Sequence, residues 1–102
     1  MDRDEAIALL RAHEPELRQA GVLSLSVFGS VARGDFGAAS DVDVVIRLSE
    51  EALQGGFEYF SRLDALRDRL EQILGRPVDV IREPVRKQSL RHAIERDAAL
   101  AF

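Results

Sequence analysis

The segment from Phe57 to Leu74 is the feature that most constrains how this chain can fold. Its apolar residues recur at steps of three and four, which predicts one long amphipathic helix ending at Gly75. Strongly apolar segments flank the helix on both sides, over residues 42–48 and 78–81, and each reads as a β-strand. Because a long helix between two strands is typical of a crossover connection, we expect the two strands to run parallel in one sheet.

The remaining elements follow from similar patterns. Residues 23–28 alternate, with Leu23, Leu25 and Val27 on one face, which predicts a third strand. The resulting order is α-β-α-β-α-β-α in an α/β fold, a small mixed β-sheet packed with helices, and we expect residues 1–102 to form a single domain. The other predicted elements are a helix over 3–13, a break near His13–Glu14 and a short helix to Gln19, a helical turn over 31–33, a loop over 35–40, a flexible connection over 49–56 and a last helix over 89–97.

Composition excludes several classes of protein. The 102 residues include no cysteine, so disulfides and thiolate metal sites are excluded. The N-terminus is acidic, and no apolar run approaches the roughly 20 residues that a membrane span needs. We therefore expect a cytoplasmic protein without a membrane partner. The net charge of −4 argues against nucleic-acid binding through the overall field of the protein.

Two C-terminal features leave alternatives open. Residues 82–96 carry five basic residues against two acidic ones, a local net charge of +3. This segment can face an anionic ligand or an acidic partner, or it can be a solvated helix face. The apolar tail over 98–102 can pack on the domain's own core or at a subunit interface, which leaves a homo-oligomer open.

Three aspartates interrupt apolar strands, where aspartate is disfavoured. Asp41 and Asp43 are two positions apart and so point to the same side, and Asp79 lies between Val78 and Val80. If their strands are neighbours, the three carboxylates converge, and divalent cations relieve their mutual repulsion. Oxygen-only ligation suits Mg²⁺ or Mn²⁺, and two such ions can hold the attacking and leaving oxygens of a phosphoryl transfer. Asp41 alone can also be read as a turn or cap residue.

A Gly-Ser turn directly follows the predicted strand over 23–28. Gly29 lets the backbone approach a phosphate closely, and the helical turn after it points N–H groups at the same place. The Ser30 hydroxyl is a further donor. Arg33 is a permanent cation with a planar fork that suits phosphate oxygens, although it can instead brace the loop.

Read together, these residues resemble a known signature. The segment Phe28-Gly29-Ser30-Val31-Ala32-Arg33-Gly34, followed by Ser40-Asp41-Val42-Asp43, is similar to that of the polymerase-beta-like nucleotidyltransferase superfamily. The form Gly-Ser-x-Ala-Arg-Gly with Ser-Asp-x-Asp looks like the minimal nucleotidyltransferases (MNT), whose members include antitoxin-type partners of HEPN toxins. The likeness extends to the first helix, the approach to Asp79 and the closing helix, so it covers nearly the whole chain.

The resemblance implies a site and a reaction. Gly29 and Ser30, with Arg33 as a further candidate, would bind the phosphates of ATP or another nucleoside triphosphate. Asp41 and Asp43 would hold two Mg²⁺ ions, with Mn²⁺ as a substitute, and Asp79 would complete the metal site nearest the acceptor hydroxyl. The expected activity is metal-dependent transfer of a nucleoside monophosphate, AMP by preference, to a hydroxyl of a partner protein such as a HEPN toxin.

Two other interpretations compete with protein adenylylation. One is a non-catalytic antitoxin that masks its partner by contact alone, against which the presence of all three aspartates, Gly29 and Ser30 argues. The other is transfer to a small molecule or an RNA end. The basic segment is the only feature that favours RNA, and it favours an acidic protein equally.

Overall fold

The computed structural model of the protein describes residues 2–34 and 41–102. It contains a mixed sheet packed with helices, as the sequence predicts. The loop predicted over 35–40 lies outside the described residues. The helices are α1 (Arg3–Ala12), α2 (Glu14–Gln19), α3 (Gly29–Arg33), α4 (Glu50–Leu53), α5 (Phe57–Leu74) and α6 (Gln88–Asp97), and the strands are β1 (Val22–Phe28), β2 (Val42–Leu48), β3 (Val78–Arg82) and β4 (Ala99–Leu100).

The sheet has the strand order β3-β2-β1-β4. The β2 and β3 strands are parallel, which confirms the crossover predicted from the long helix α5 between them. The β1 strand runs antiparallel to both β2 and β4. As a result, β1 ends at the same end of the sheet at which β2 and β3 begin.

The main core lies on one face of the sheet. Helices α1, α2 and α5 cover that face, and their buried residues contact alternate residues of β1 and β2. A smaller cluster on the opposite face joins the sheet to α6. The fully buried large side chains of the main core include Leu10, Leu17, Leu25, Ile46 and Leu70, whereas the smaller cluster contains Phe28, Val45 and Ile94 with Ile81, Val85 and Leu90 packed against it.

The N-terminal helices begin as their sequences indicate. The side chain of Asp2 caps α1 by accepting a hydrogen bond from the backbone N–H of Glu5, at 2.8 Å. Pro15 lies in the first turn of α2, where its missing N–H costs little. None of the helices in the described part of the chain is long and apolar enough to cross a membrane.

The structure corrects the sequence prediction at two places. Leu23 is 45% exposed and does not share the core face with Leu25, because the register between β1 and β2 shifts between Val22 and Ser24. The connection over 49–56 is not flexible throughout, since it contains α4. The hydroxyl of Ser49 caps this helix by accepting a hydrogen bond from the N–H of Ala52.

The C-terminal tail forms a fourth strand that the sequence pattern did not predict. Ala101 is fully buried, and its backbone N–H donates to the carbonyl of Leu25 at 2.9 Å. The guanidinium of Arg11 donates to the carbonyl of Ala101 at 2.6 Å, and that of Arg18 lies 5.1 Å from the centre of the Phe102 ring. The end of the chain therefore packs on the domain's own core, one of the two alternatives for this segment.

We expect helix α5 to stabilise the fold through the residues on its buried face. We expect Leu70→Ala to lower the free energy of unfolding by about 2–5 kcal/mol, because it opens a cavity in the main core. Phe60→Ala on the same helix should change it by less than about 1 kcal/mol, since the Phe60 side chain is 64% exposed. Urea denaturation of both variants measures the difference, and equal losses would contradict the assignment of the core to one face of α5.

Candidate active site

Two carboxylates become neighbours where β2 and β3 begin. Asp43 and Asp79 are paired in the parallel register, so their Cα atoms lie about 4.8 Å apart. On the other side of β2, Phe28 at the end of β1 is the partner of Asp43. Asp43 is half-buried and Asp79 is exposed. The structure thus brings together two of the three aspartates that the sequence singles out, on the face of the sheet that also carries α6.

Gly29 places the backbone directly against the carboxylate of Asp43. Its φ of +74° lies in the left-handed region that favours glycine. A Cβ at this position would lie 2.4 Å from Oδ2 of Asp43, which is closer than two such atoms can approach. Glycine is therefore favoured here on two grounds, since a side chain would strain the backbone and would force the Asp43 carboxylate to move.

The electrostatic field at Asp43 opposes its ionisation. Burial raises the pKa of Asp43 above its usual range, and the negative charges of Asp79 and Asp41 raise it further. The nearby cation Arg33 acts in the opposite direction without cancelling the effect. Asp41 is exposed and directly precedes β2, so its influence on Asp43 is through charge.

The donor set at this place fits a hard divalent cation. Within the residues that the structure describes, no three His, Cys, Asp or Glu side chains are grouped closely enough to enclose a metal ion. The full convergence expected for Asp41, Asp43 and Asp79 is therefore not formed by the protein alone. Their oxygens are nevertheless the ligands that Mg²⁺ and Mn²⁺ prefer, and a cation would reverse the repulsion that raises the pKa of Asp43.

Ser30 and Arg33 lie on α3, directly after Gly29. Ser30 is half-buried. A guanidinium nitrogen (Nη1) of Arg33 lies 3.0 Å from Oδ2 of Asp97, at the end of α6. This contact ties the Gly-Ser turn to the last helix, whereas the loop that Arg33 could brace lies outside the described residues.

Asp97 is a site residue that the sequence reasoning missed. Only 7% of its side chain is exposed, and it also accepts two hydrogen bonds from Arg96, both at 3.1 Å. These hydrogen bonds from Arg96, together with the one from Arg33, hold the pKa of Asp97 below its usual range. One signal was available in the sequence, because an acidic residue in the last turn of a helix opposes the helix dipole and needs a compensating partner.

Comparison with known proteins identifies the family. A model of the nucleotidyltransferase domain matches residues 10–100. The chain belongs to the nucleotidyltransferase family. It is 30% identical over 95 residues to the protein adenylyltransferase MntA of Thermococcus cleftensis, covering 92% of this chain and 90% of that protein. It is 33% identical over 91 residues to MJ1379 of Methanocaldococcus jannaschii, provisionally named a protein adenylyltransferase, covering 87% of each chain.

Solved structures share the fold of this nucleotidyltransferase. One, provisionally described as a minimal nucleotidyltransferase, superposes with a TM-score of 0.75 at 29% identity, covering 97% of this chain and 95% of that one. Another is a complex of a tri-AMPylated Shewanella oneidensis HEPN toxin with an MNT antitoxin. It matches with a TM-score of 0.62 at 15% identity, covering 94% of this chain and 71% of that one. Enzymes of this family generally use divalent metal ions, which agrees with the donor set around Asp43.

The contact between Gly29 and Asp43 can be tested with a matched glycine. Gly29→Ala and Gly75→Ala both force alanine into a left-handed conformation, at φ of +74° and +70° respectively, at a cost of about 1–2 kcal/mol each. Only Gly29→Ala adds a collision, because no described atom lies within 4 Å of a Cβ at Gly75. We therefore expect Gly29→Ala to lose about 1–3 kcal/mol more stability in urea denaturation, and equal losses would contradict the close approach.

The ion pairs of Asp97 predict a pH dependence. Because its pKa is lower in the folded protein than the usual 3.8, the ionised carboxylate stabilises the fold above that pH, and the stabilisation is lost as the pH falls through the folded pKa. The Asp97→Asn variant should therefore have a lower melting temperature than the wild type at neutral pH. The difference between the two melting temperatures should narrow below about pH 4. Melting curves measured from neutral to acidic pH test this. A gap that stays constant down to the most acidic pH would contradict it.

Proposed function

We propose that this nucleotidyltransferase transfers AMP from ATP to a hydroxyl group on a partner protein, with a HEPN-type toxin as the preferred acceptor. The observation that carries the proposal is the pair Asp43 and Asp79, adjacent in register, with the backbone of Gly29 against it. This arrangement offers oxygen ligands for cations and an uncovered backbone for phosphates in one place. It occurs in a chain whose family transfers nucleotidyl groups.

The proposed residues divide the binding of metal ions, phosphates and acceptor between them. Asp41 and Asp43 would hold two Mg²⁺ ions, which Mn²⁺ can replace, and Asp79 would complete the site on the acceptor side. Bound there, the metal ions would neutralise the charge that develops on the attacking and leaving oxygens. Gly29 and Ser30 would hold the phosphates of the triphosphate. Arg33 would keep α3 in place through Asp97 and is the further candidate for the phosphates, and its positive charge partly offsets the rise in the pKa of Asp43.

The proposed reaction is a direct displacement at the α-phosphorus. The acceptor oxygen forms a bond to the α-phosphorus while the bond from that phosphorus to the bridging oxygen breaks, and pyrophosphate leaves with the electron pair of the broken bond. The proton of the acceptor hydroxyl passes toward the carboxylate of Asp79 and then to water. Orientation of the two substrates and neutralisation of charge supply most of the acceleration.

Related proteins support a protein acceptor. The relatives in Thermococcus and Methanocaldococcus carry the name protein adenylyltransferase, and one complex with the same fold contains an AMPylated HEPN toxin. By modifying such a toxin this chain would act as an antitoxin. The cytoplasmic location, the single domain over residues 1–102 and the choice of Mg²⁺ stay predictions from the sequence.

Removing the charge of Asp43 should have opposite effects on catalysis and on stability. We expect Asp43→Asn to reduce AMP transfer by about a hundredfold or more, because it removes charge where cations must bind. The same variant should melt at a higher temperature than the wild type without metal, since the mutual repulsion is relieved. The matched control is Asp68→Asn, an exposed position on α5, which should leave both quantities unchanged.

Two measurements check this prediction. Thermal shift with ATP, with and without Mg²⁺, should show stabilisation of the wild type that needs both components and is abolished by EDTA. Transfer of label from α-labelled ATP to a co-purified HEPN-type toxin then reports the reaction. Wild-type turnover in Asp43→Asn would overturn the metal assignment. A toxin that is inhibited by contact but never labelled would establish the competing function of a masking antitoxin.

A further inference from the structure

A groove between β3 and α6 lies beside the carboxylates of the active site. It has a volume of about 540 Å³ and is open to solvent. Its half-buried lining is apolar and consists of Ile81, Val85 and Leu90, and its exposed lining consists of Pro84 and the basic residues Arg82, Arg86 and Lys87. We call this surface the β3–α6 groove.

The groove begins at Ile81, the next residue on β3 whose side chain lies on the same face of the sheet as that of Asp79. Ile81 follows Asp79 by two residues on β3, so the two side chains share a face of the sheet with Cα atoms about 6–7 Å apart. Ile81 also packs into the small cluster formed with Phe28, Val45 and Ile94 on that face. A segment seated in the groove therefore runs toward the carboxylate that we place on the acceptor side of the reaction.

The basic rim is available to a partner. Arg86 and Lys87 form no ion pair with any residue in the described ranges 2–34 and 41–102. Arg82 also lines the groove, but its side chain leaves β3 on the face opposite Ile81, where its guanidinium carbon lies 5.2 Å from the ring centre of Tyr59. Two cations, Arg86 and Lys87, therefore flank an apolar floor in a chain whose net charge is −4, so this surface differs in sign from the protein as a whole.

We propose that the β3–α6 groove docks an acidic, partly apolar segment of the acceptor protein and so delivers its hydroxyl group to Asp79. The rim complements acidic side chains, and the floor accepts apolar ones. The proposal rests on the proposed function, because it assigns the acceptor side of that same site.

The same features argue against RNA as the occupant. Among the described residues, none that lines the groove is aromatic, so these residues offer no ring on which a base can stack. The apolar floor contributes nothing to a phosphate backbone, and the net charge of −4 repels a polyanion at longer range. A polypeptide with acidic and apolar side chains can contact both the basic rim and the apolar floor.

Direct binding tests the groove without requiring catalysis. The probe is a fluorescein-labelled, glutamate-rich copolymer of glutamate and tyrosine, which carries acidic groups and hydroxyl groups, and its anisotropy is measured without ATP. The double variant Arg86→Glu/Lys87→Glu should weaken binding about tenfold or more at low ionic strength, and it should reduce the dependence on salt. Glutamate at position 87 suits the start of α6, so the fold should persist, which circular dichroism verifies.

A second double variant tests whether the effect depends on where the charges are changed rather than on the net charge. Arg3→Glu/Arg67→Glu makes the same change in net charge at two exposed sites, where each arginine forms an ion pair with a near neighbour in the sequence, at 3.4 Å to Asp4 and 3.9 Å to Asp64. This variant should bind the copolymer like the wild type. Equal weakening in both double variants, no binding by the wild type, or equal binding of a lysine–tyrosine copolymer would each overturn the proposal.

Two further measurements separate the groove from the proposed function. In transfer assays the Arg86→Glu/Lys87→Glu variant should raise KM for the acceptor protein, while the thermal shift with ATP and Mg²⁺ stays that of the wild type. Polyuridylate that competes with the copolymer as strongly as unlabelled copolymer would assign the groove to RNA and overturn the proposal. If the copolymer binds through Arg86 and Lys87 but no protein is ever labelled, the proposed function fails while the docking surface stands.

Discussion

The pairing of β2 with β3 is the constraint on which the rest of the site depends. Because side chains alternate along a strand, a shift of one residue in this register would turn Asp79 to the opposite face of the sheet. The register is fixed by the apolar residues on either side of each aspartate, since Val42 and Val44 are fully buried and Val78 is nearly so. The hydrophobic core therefore sets the position of two charges on the opposite face of the sheet.

The two faces of the sheet have different roles. Helices α1, α2 and α5 bury most of the large apolar side chains on one face, and this burial is the main source of stability. The opposite face has only a small cluster beneath α6, which leaves room for uncompensated charge. The pKa of Asp43 is raised in the metal-free protein by burial and by the charges of Asp79 and Asp41, at the end of the sheet where the backbone of Gly29 lies against the carboxylate.

The sequence predicts what depends on short-range patterns. The crossover helix, the parallel pair and the adjacency of Asp43 and Asp79 all follow from periodicity and from aspartates placed among valines. What it missed depends on contacts distant along the chain or on local irregularity. Arg33 and Asp97 are 64 positions apart, the shift that exposes Leu23 is a defect in alternation, and the strand β4 is two residues long and is fixed by backbone hydrogen bonds.

Helix α6 connects the two halves of the proposed reaction. Its last residue, Asp97, holds Arg33 and with it the helix that carries the Gly-Ser turn, while Leu90 near its start lines the β3–α6 groove. Ile94 lies between them in the cluster beneath the helix. A helix of ten residues spans about 15 Å, so a shift of α6 along its axis would move both ends together. In the proposed reaction, the helix that holds the phosphate-binding turn in place would therefore also position the surface proposed for the acceptor.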